Sequence, residues 1–226
     1  MKTMALVALL LSTSAALAQD QTALRRAGND MFGALTGDVE RFERGMRTIE
    51  GIMSENPNDP VVKVLFGTGL FARAGVAFGR GEMEKAMPLW QSALNEMGQA
   101  VELAPENILV RARRGVVLIS ASRETPPAMA KQLIEAAVGD FEKVLQIRET
   151  QNTLAQGSEH QRGELLTSLG DGWSRLGDPD KARGYFERIT RELKGTVYEE
   201  RARAWLEGKP EATARDFFAC SGCHKE

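Results

Sequence analysis

Cysteine and histidine are scarce in this chain, which has two of each among 226 residues. The two cysteines, Cys220 and Cys223, are close in sequence, so a disulfide between them would close only a small loop and could not hold a large fold together. The sequence also lacks a paired-histidine metal motif, a glycine-rich phosphate loop and a Gly-x-Ser-x-Gly nucleophile motif. These absences argue against a hydrolytic enzyme built into the body of the chain.

The chain also lacks an excess of either charge and any segment with strand-like alternation. It has 29 Lys plus Arg against 31 Asp plus Glu, so recognition of nucleic acid is not indicated. Hydrophobic residues make up 42% and charged residues 27%, which is typical of a soluble globular protein. Between Asp20 and Gly208 the apolar periodicity is helical, and Pro, Gly and Asn interrupt it at intervals. We therefore expect an all-α fold.

The N-terminal residues resemble a secretory signal peptide. A short positively charged start is followed by an apolar run from Met4 to Leu11 and then by an Ala-x-Ala ending at Ala18. The run is shorter than the ~20 apolar residues that a bilayer span needs. We expect residues 1–18 to be removed during export to the periplasm, and we expect no stable membrane span. The alternative is an ordinary buried N-terminal helix.

Proline-rich breaks divide the rest of the chain into helices. At the first break Asp59 can cap a helix, and Pro60 fits its first turn. Similar signals occur at Ala104–Asn107, Thr125–Pro127 and Gly177–Asp180. The pattern predicts helices near 20–36, 38–54, 60–79, 82–103, 106–122, 127–149, 159–176, 179–194 and 196–207. Because short turns join them, consecutive helices should pack as antiparallel hairpins.

One predicted hairpin has Leu166, Leu169, Gly170 and Trp173 on its first helix and Ala182 and Phe186 on its second. These intervals resemble the tetratricopeptide repeat (TPR), in which a small residue at the helix crossing faces an aromatic one. The segment from Ala93 to Asn107 also resembles the second helix and closing proline of such a repeat.

The TPR resemblance implies a degenerate solenoid of stacked hairpins over residues 19–208, with a concave face that binds a partner. The interval from Pro57 to Pro105 is longer than the ~34 residues of the family repeat, and the segment from Leu118 to Ile147 is less regular. An unrelated helical bundle is the alternative.

The C-terminal segment 209–226 contains the sequence Cys-Ser-Gly-Cys-His, which resembles the haem-attachment motif of c-type cytochromes. The resemblance implies one covalent haem c, with thioether bonds to Cys220 and Cys223 and with His224 as the proximal iron ligand. Phe217 and Phe218 resemble the aromatic that precedes this motif, although the usual position is held by Asp216. Such haems are attached after export, which agrees with the signal peptide.

Three other uses of the two cysteines are alternatives to haem attachment. A redox-active dithiol normally opens a helix beside a strand, and the chain shows no such pattern. A structural zinc would need further ligands, and only His160 and carboxylates remain. The third alternative is an incidental surface disulfide.

The sixth iron ligand is not part of the haem motif. Only Lys225 and Glu226 follow His224 in the sequence, so we expect this ligand to come from the helical body or a partner, unless the iron stays five-coordinate. His160 is the one other histidine and is the candidate ligand. Met83, Met87 and Met97 share a predicted hairpin but are of a type that usually fills gaps in cores.

The remaining conspicuous side chains are expected to be structural. Trp90, Trp173 and Phe186 fall at helical spacing and are assigned to the core, with Tyr185 and Trp205 as the other large side chains. The arginines Arg111, Arg113 and Arg114 are assigned to a solvated helix face, with an acidic partner as the alternative.

Together these patterns predict an exported helical repeat protein that carries haem on its tail. The function expected from them is electron transfer within a protein complex: the repeats dock a redox partner protein and the tail presents the haem. The chain is expected to be an electron-transfer or scaffold protein rather than an enzyme. The alternatives are a haem-free periplasmic adaptor or assembly factor, and a Cys-x-x-Cys thiol-redox protein.

Overall fold

The computed structural model describes residues 22–31, 33 and 37–209, and this part of the chain is helical and contains no strand. After a helical stretch at 22–30 come α1 (Val39–Glu55), α2 (Pro60–Gly79), α3 (Met83–Leu103), α4 (Ile108–Ala121), α5 (Pro127–Thr150), α6 (Glu159–Arg175), α7 (Pro179–Glu192) and α8 (Val197–Leu206). The predicted all-α class is confirmed, and the bounds of these helices agree with the prediction to within about two residues. A short 3-10 helix at Leu154–Gln156 was not predicted.

Polar side chains fix where most of the helices begin. The Asp59 carboxylate accepts hydrogen bonds from the backbone of Val61 and Val62 at 2.7 and 3.0 Å, and Pro60 occupies the first turn. Ser158 and Gln161 form a reciprocal capping box at the start of α6. These caps satisfy the orphan backbone N–H groups of a helix start, so the breaks read from the sequence coincide with the observed ends.

The chain divides after Leu103 into two compact units. In the first unit, α2 packs against both α1 and α3. Gly67 permits the close approach of α2 and α3, because a Cβ there would lie 2.7 Å from the side chain of Met97. The buried Lys63 of α2 is paired with Glu96 of α3 at 2.8 Å.

Among the described residues one helix, α2, is long and apolar enough to cross a membrane by length and composition alone. Half of the apolar window is buried within the protein. The core helix of a soluble protein has the same properties, so this feature does not distinguish the two cases.

The second unit begins at Ala104 and contains α4 to α8, in which each helix packs against the next along the chain. Gly170 of α6 faces the ring of Phe186 on α7, and Phe186 is completely buried. The Trp205 ring of α8 stacks on the Phe186 ring, with the ring centroids 4.5 Å apart. Helices α6, α7 and α8 therefore share one aromatic core.

The contact between Gly170 and Phe186 gives a first prediction. A Cβ at position 170 would lie 2.6 Å from the Phe186 ring, so Gly170→Ala should destabilise the protein by about 1–2 kcal/mol despite the better helix propensity of alanine. Gly184→Ala is the matched control on the exposed side of α7, where nothing lies within 4 Å of the added methyl group. This control should stabilise the protein by up to ~1 kcal/mol. Urea unfolding of both variants measures the difference, and equal effects of the same sign would contradict the packing assigned to Gly170.

Candidate functional site

The haem-attachment residues predicted from the sequence, Cys220, Cys223 and His224, lie outside the residues that the structure describes, as does the predicted signal peptide. His160, the candidate sixth ligand, lies in the first turn of α6 and is exposed. The structure therefore describes the predicted site only around His160.

His160 belongs to a chain of three hydrogen-bonded side chains. Its Nδ1 lies 2.7 Å from the Tyr198 hydroxyl oxygen, and that hydroxyl donates to Oε1 of Glu164 at 2.8 Å. A hydroxyl has one proton, which here goes to Glu164, so the contact with His160 requires Nδ1 to be the donor. In the neutral imidazole the lone pair is then on Nε2. This is the atom that a histidine in such an arrangement presents to a metal.

The local sequence explains how these side chains come together. Glu164 follows His160 by one helical turn, so both lie on the same face of α6. Between them Gly163 lies against the Tyr198 ring so closely that no Cβ could be accommodated without a shift. The buried Tyr198 ring therefore sits directly on the helix backbone and places its hydroxyl between the imidazole and the carboxylate.

The start of α8 is also fixed, which holds Tyr198 in place. Thr196 caps the helix, and its hydroxyl oxygen accepts a hydrogen bond from the backbone of Glu199. The backbone N–H of Gly195 donates to the Glu199 carboxylate at 2.6 Å, and this bond, with that from Arg203, holds the pKa of Glu199 below its ordinary value. These hydrogen bonds flank Tyr198, the second residue of α8, and fix its position.

This arrangement resembles the support that proteins give to metal-binding histidines. Such a histidine normally donates its other ring N–H to a carboxylate or another acceptor, which fixes the tautomer and the ring orientation. Tyr198 and Glu164 supply this support. Within residues 22–31, 33 and 37–209, no group of three or more His, Cys, Asp or Glu side chains is placed to hold a metal ion. His160 could therefore act as one ligand to a metal whose other ligands come from elsewhere.

The three methionines considered as ligands differ in their surroundings. Met97 is fully buried and packs against Gly67, so it fills the gap between α2 and α3 as predicted for a core methionine. Met83 and Met87 are exposed to 54% and 38%. They remain accessible as ligands, but nothing in their described surroundings orients the sulfur atoms.

The assignment of the arginine cluster to a solvated helix face was wrong. Arg111 and Arg114 of α4 both bind the carboxylate of Asp140 on α5, at 2.7 and 2.6 Å, and Asp140 is fully buried. Burial lowers the pKa of the neighbouring Arg113. The cluster is therefore part of a structural ion network. The local sequence does not predict this network, because the acidic partner lies on another helix.

The predicted core aromatics are placed as expected, with one exception. Trp90 and Phe186 are buried. Trp173 is only partly buried: its indole N–H donates to Glu142 at 3.0 Å, and the Lys181 ammonium lies 3.6 Å above its ring. Trp173 therefore closes the edge of the α6–α7 hairpin rather than filling its centre.

Comparison with known proteins does not extend this description: no protein-family model, curated protein or solved structure matches the chain. His160 is a candidate ligand from the sequence alone, whereas its hydrogen-bonded neighbours Tyr198 and Glu164 are not among the residues that the sequence predicts. The spacing of His160 and Glu164 by one helical turn was a usable signal, whereas Tyr198 joins them only through the packing of α8.

Proposed function

We propose that this chain is an exported c-type haem protein in which a TPR-like helical body docks a redox partner protein and the C-terminal tail carries one haem c. The observation that carries the proposal is the Cys-x-x-Cys-His sequence: Cys220 and Cys223 would form the thioether bonds, and His224 would be the proximal iron ligand. The signal-peptide pattern at residues 1–18 supports it, because covalent haem attachment takes place after export. When bound, the haem would act as a one-electron carrier.

His160 is the sixth iron ligand in this proposal. Its Nδ1–H is bound to Tyr198, so Nε2 is the free ligand atom, and the side chain is exposed. The indole N–H of Trp205, near the end of α8, donates to Ser174 near the end of α6, whereas His160 lies in the first turn of α6. From Lys209 to Cys220 an extended chain reaches as far as ~35 Å. This length exceeds the ~21 Å between His160 and Ser174 along α6, so the tail is long enough to span that distance.

The packing of the helices supports the TPR-like part of the proposal. Consecutive helices form pairs, α2 with α3, α4 with α5 and α6 with α7. In each of these three pairs a glycine allows the close approach: Gly67 lies against Met97, Gly115 against Phe141 and Gly170 against Phe186. A small residue facing a large one at the crossing is what the resemblance to TPR hairpins implies. Arrays of such hairpins commonly bind other proteins.

Replacing His160 tests its role as the iron ligand. In haem-loaded protein we expect His160→Ala to convert a low-spin visible spectrum into a high-spin one that binds carbon monoxide. Tyr198→Phe keeps the imidazole but removes the acceptor for Nδ1–H, so the spectrum should remain low-spin while affinity for the iron falls by roughly 10–100-fold. Visible spectra during an imidazole competition titration measure both effects.

Methionine variants provide the matched control for this experiment. Met83→Ala and Met87→Ala each remove an exposed sulfur and should leave the spectrum of the haem protein unchanged. A high-spin spectrum in either methionine variant, with His160→Ala remaining low-spin, would assign the sixth position to methionine instead.

A further inference from the structure

A pocket of about 400 Å³ lies in the second unit, at some distance in sequence from the haem motif. The end of α5, the 3-10 helix, α6 and α7 contribute its lining. Three arginines and two glutamates line it, namely Arg148, Arg162, Arg188, Glu149 and Glu192. A pocket of this size is in the range that small-molecule ligands occupy.

Both glutamates of the pocket are bound to one of the arginines. Arg188 donates to Glu149 at 2.6 Å through Nη1 and to Glu192 at 2.7 Å through Nε. Burial opposes the charge of this guanidinium, but the two hydrogen-bonded glutamates outweigh it and raise the pKa of Arg188. Arg188 is therefore a satisfied cation, and the glutamates are its counter-ions.

Arg148 and Arg162 differ from Arg188 in this respect. Within the described part of the chain, no carboxylate lies within ion-pair distance of either guanidinium, although both side chains are half-buried. Another half-buried arginine of the same unit, Arg114, binds an aspartate. The Nε of Arg162 is in addition buried and has no hydrogen-bond partner in the described residues. A buried N–H without an acceptor is unfavourable, and two unpaired guanidinium groups leave the pocket with an excess of positive charge.

The rest of the lining suits an organic ligand. Asn152 follows the end of α5 by two residues, has the left-handed conformation with φ of 53°, and adds a carboxamide to the polar groups of the pocket. Leu154 and Ala155 provide apolar surface beside it. The pocket thus combines fork-shaped donors for an oxyanion with a small apolar wall.

We propose that this pocket binds a small organic anion, whose carboxylate or phosphate group is held by Arg148 and Arg162. None of the residues that line this pocket is assigned to iron coordination in the proposed function. The shared chemistry is a planar or tetrahedral oxyanion that accepts two or more hydrogen bonds from guanidinium groups.

Calorimetric titration of the full chain tests the proposal, with glutarate and inorganic phosphate as probes and sodium chloride at matched ionic strength as the reference. We expect saturable one-site binding of at least one probe. The double variant Arg148→Met/Arg162→Met should weaken it by at least about tenfold, since each arginine supplies charge-assisted hydrogen bonds. Arg191→Met removes an exposed arginine of α7 that does not line the pocket, and it should bind like the wild type. The stronger of the two probes identifies the ligand as a carboxylate or a phosphate.

Chemical modification of the wild-type chain gives a second test that needs no variant. Phenylglyoxal modifies accessible guanidinium groups, and peptide mass spectrometry locates the modified arginines. The bound probe should slow the modification of Arg148 and Arg162 at least about threefold relative to chloride, and should leave Arg191 unchanged. Absence of saturable binding by both probes, or equal protection of Arg191, would overturn the proposal.

Discussion

Replacing Cys220 and Cys223 together by alanine should yield a colourless protein that carries no covalent haem, whereas the wild-type chain is expected to be red. The two thiols are the only ones in the chain, so no other residue can form a thioether bond to the haem vinyl groups. The effect should be all-or-none for covalent attachment. It is measured by haem staining after denaturing electrophoresis, with both proteins expressed beside haem-maturation machinery.

Three further variants separate this explanation from the thiol-redox and adaptor alternatives. Ser221→Ala changes a residue between the cysteines and should retain the covalent haem. His224→Ala removes the proximal ligand, so any haem that is attached should have altered iron coordination. Cys223→Ala alone should leave at most one thioether bond. Wild-type protein that stays colourless and reacts with two equivalents of a thiol reagent would instead favour the thiol-redox alternative.

Removing the buried carboxylate of Asp140 should have the largest effect on stability. Asp140 is fully buried and accepts hydrogen bonds from both Arg111 and Arg114, whose side chains are themselves only 16% and 20% exposed. Asp140→Ala leaves two half-buried guanidinium groups without a counter-ion, which should lower the free energy of unfolding by about 3–5 kcal/mol. Urea unfolding followed by circular dichroism measures the loss.

The control for Asp140 removes the whole ion network. Arg111→Met/Arg114→Met/Asp140→Leu replaces the charges with apolar side chains, and such replacements often cost little or even stabilise. We expect this triple variant to be more stable than Asp140→Ala. If Asp140→Ala unfolds at the wild-type urea concentration, the network makes no net contribution and the account of α4 and α5 is wrong.

The local features of the fold could be read from the sequence because they depend on near neighbours along the chain. The start of α2 follows from Asp59 and Pro60, and the start of α6 from Ser158 and Gln161. Capping and the fixed φ of proline act within one helical turn, so the bounds of the helices needed no tertiary information. The contact of Gly170 with Phe186 is what the resemblance to a TPR hairpin implies, because that hairpin has a small residue facing an aromatic one at the helix crossing.

Features that depend on distant residues could not be read in the same way. Asp140 lies on the helix that follows the one with Arg111, 29 residues later in the chain. The sequence around the arginines therefore does not show that they have a buried partner. Tyr198 reaches His160 only because α8 packs against α6. The charge of the pocket likewise depends on tertiary contacts, because Glu149 and Glu192 bind Arg188 and not Arg148 or Arg162. In each case the identity of the partner, not the type of residue, decides the role.

The central claim, that this chain carries covalent haem on Cys220 and Cys223, is tested most directly by the intact mass of the wild-type protein. The chain is expressed with its own N-terminal segment beside haem-maturation machinery, purified from the periplasm and denatured before mass spectrometry. We expect the mass of the chain from Gln19 to Glu226 plus one haem, with neither cysteine available to an alkylating reagent. A mass equal to that of the polypeptide alone, with both cysteines free or joined in a disulfide, would contradict the account.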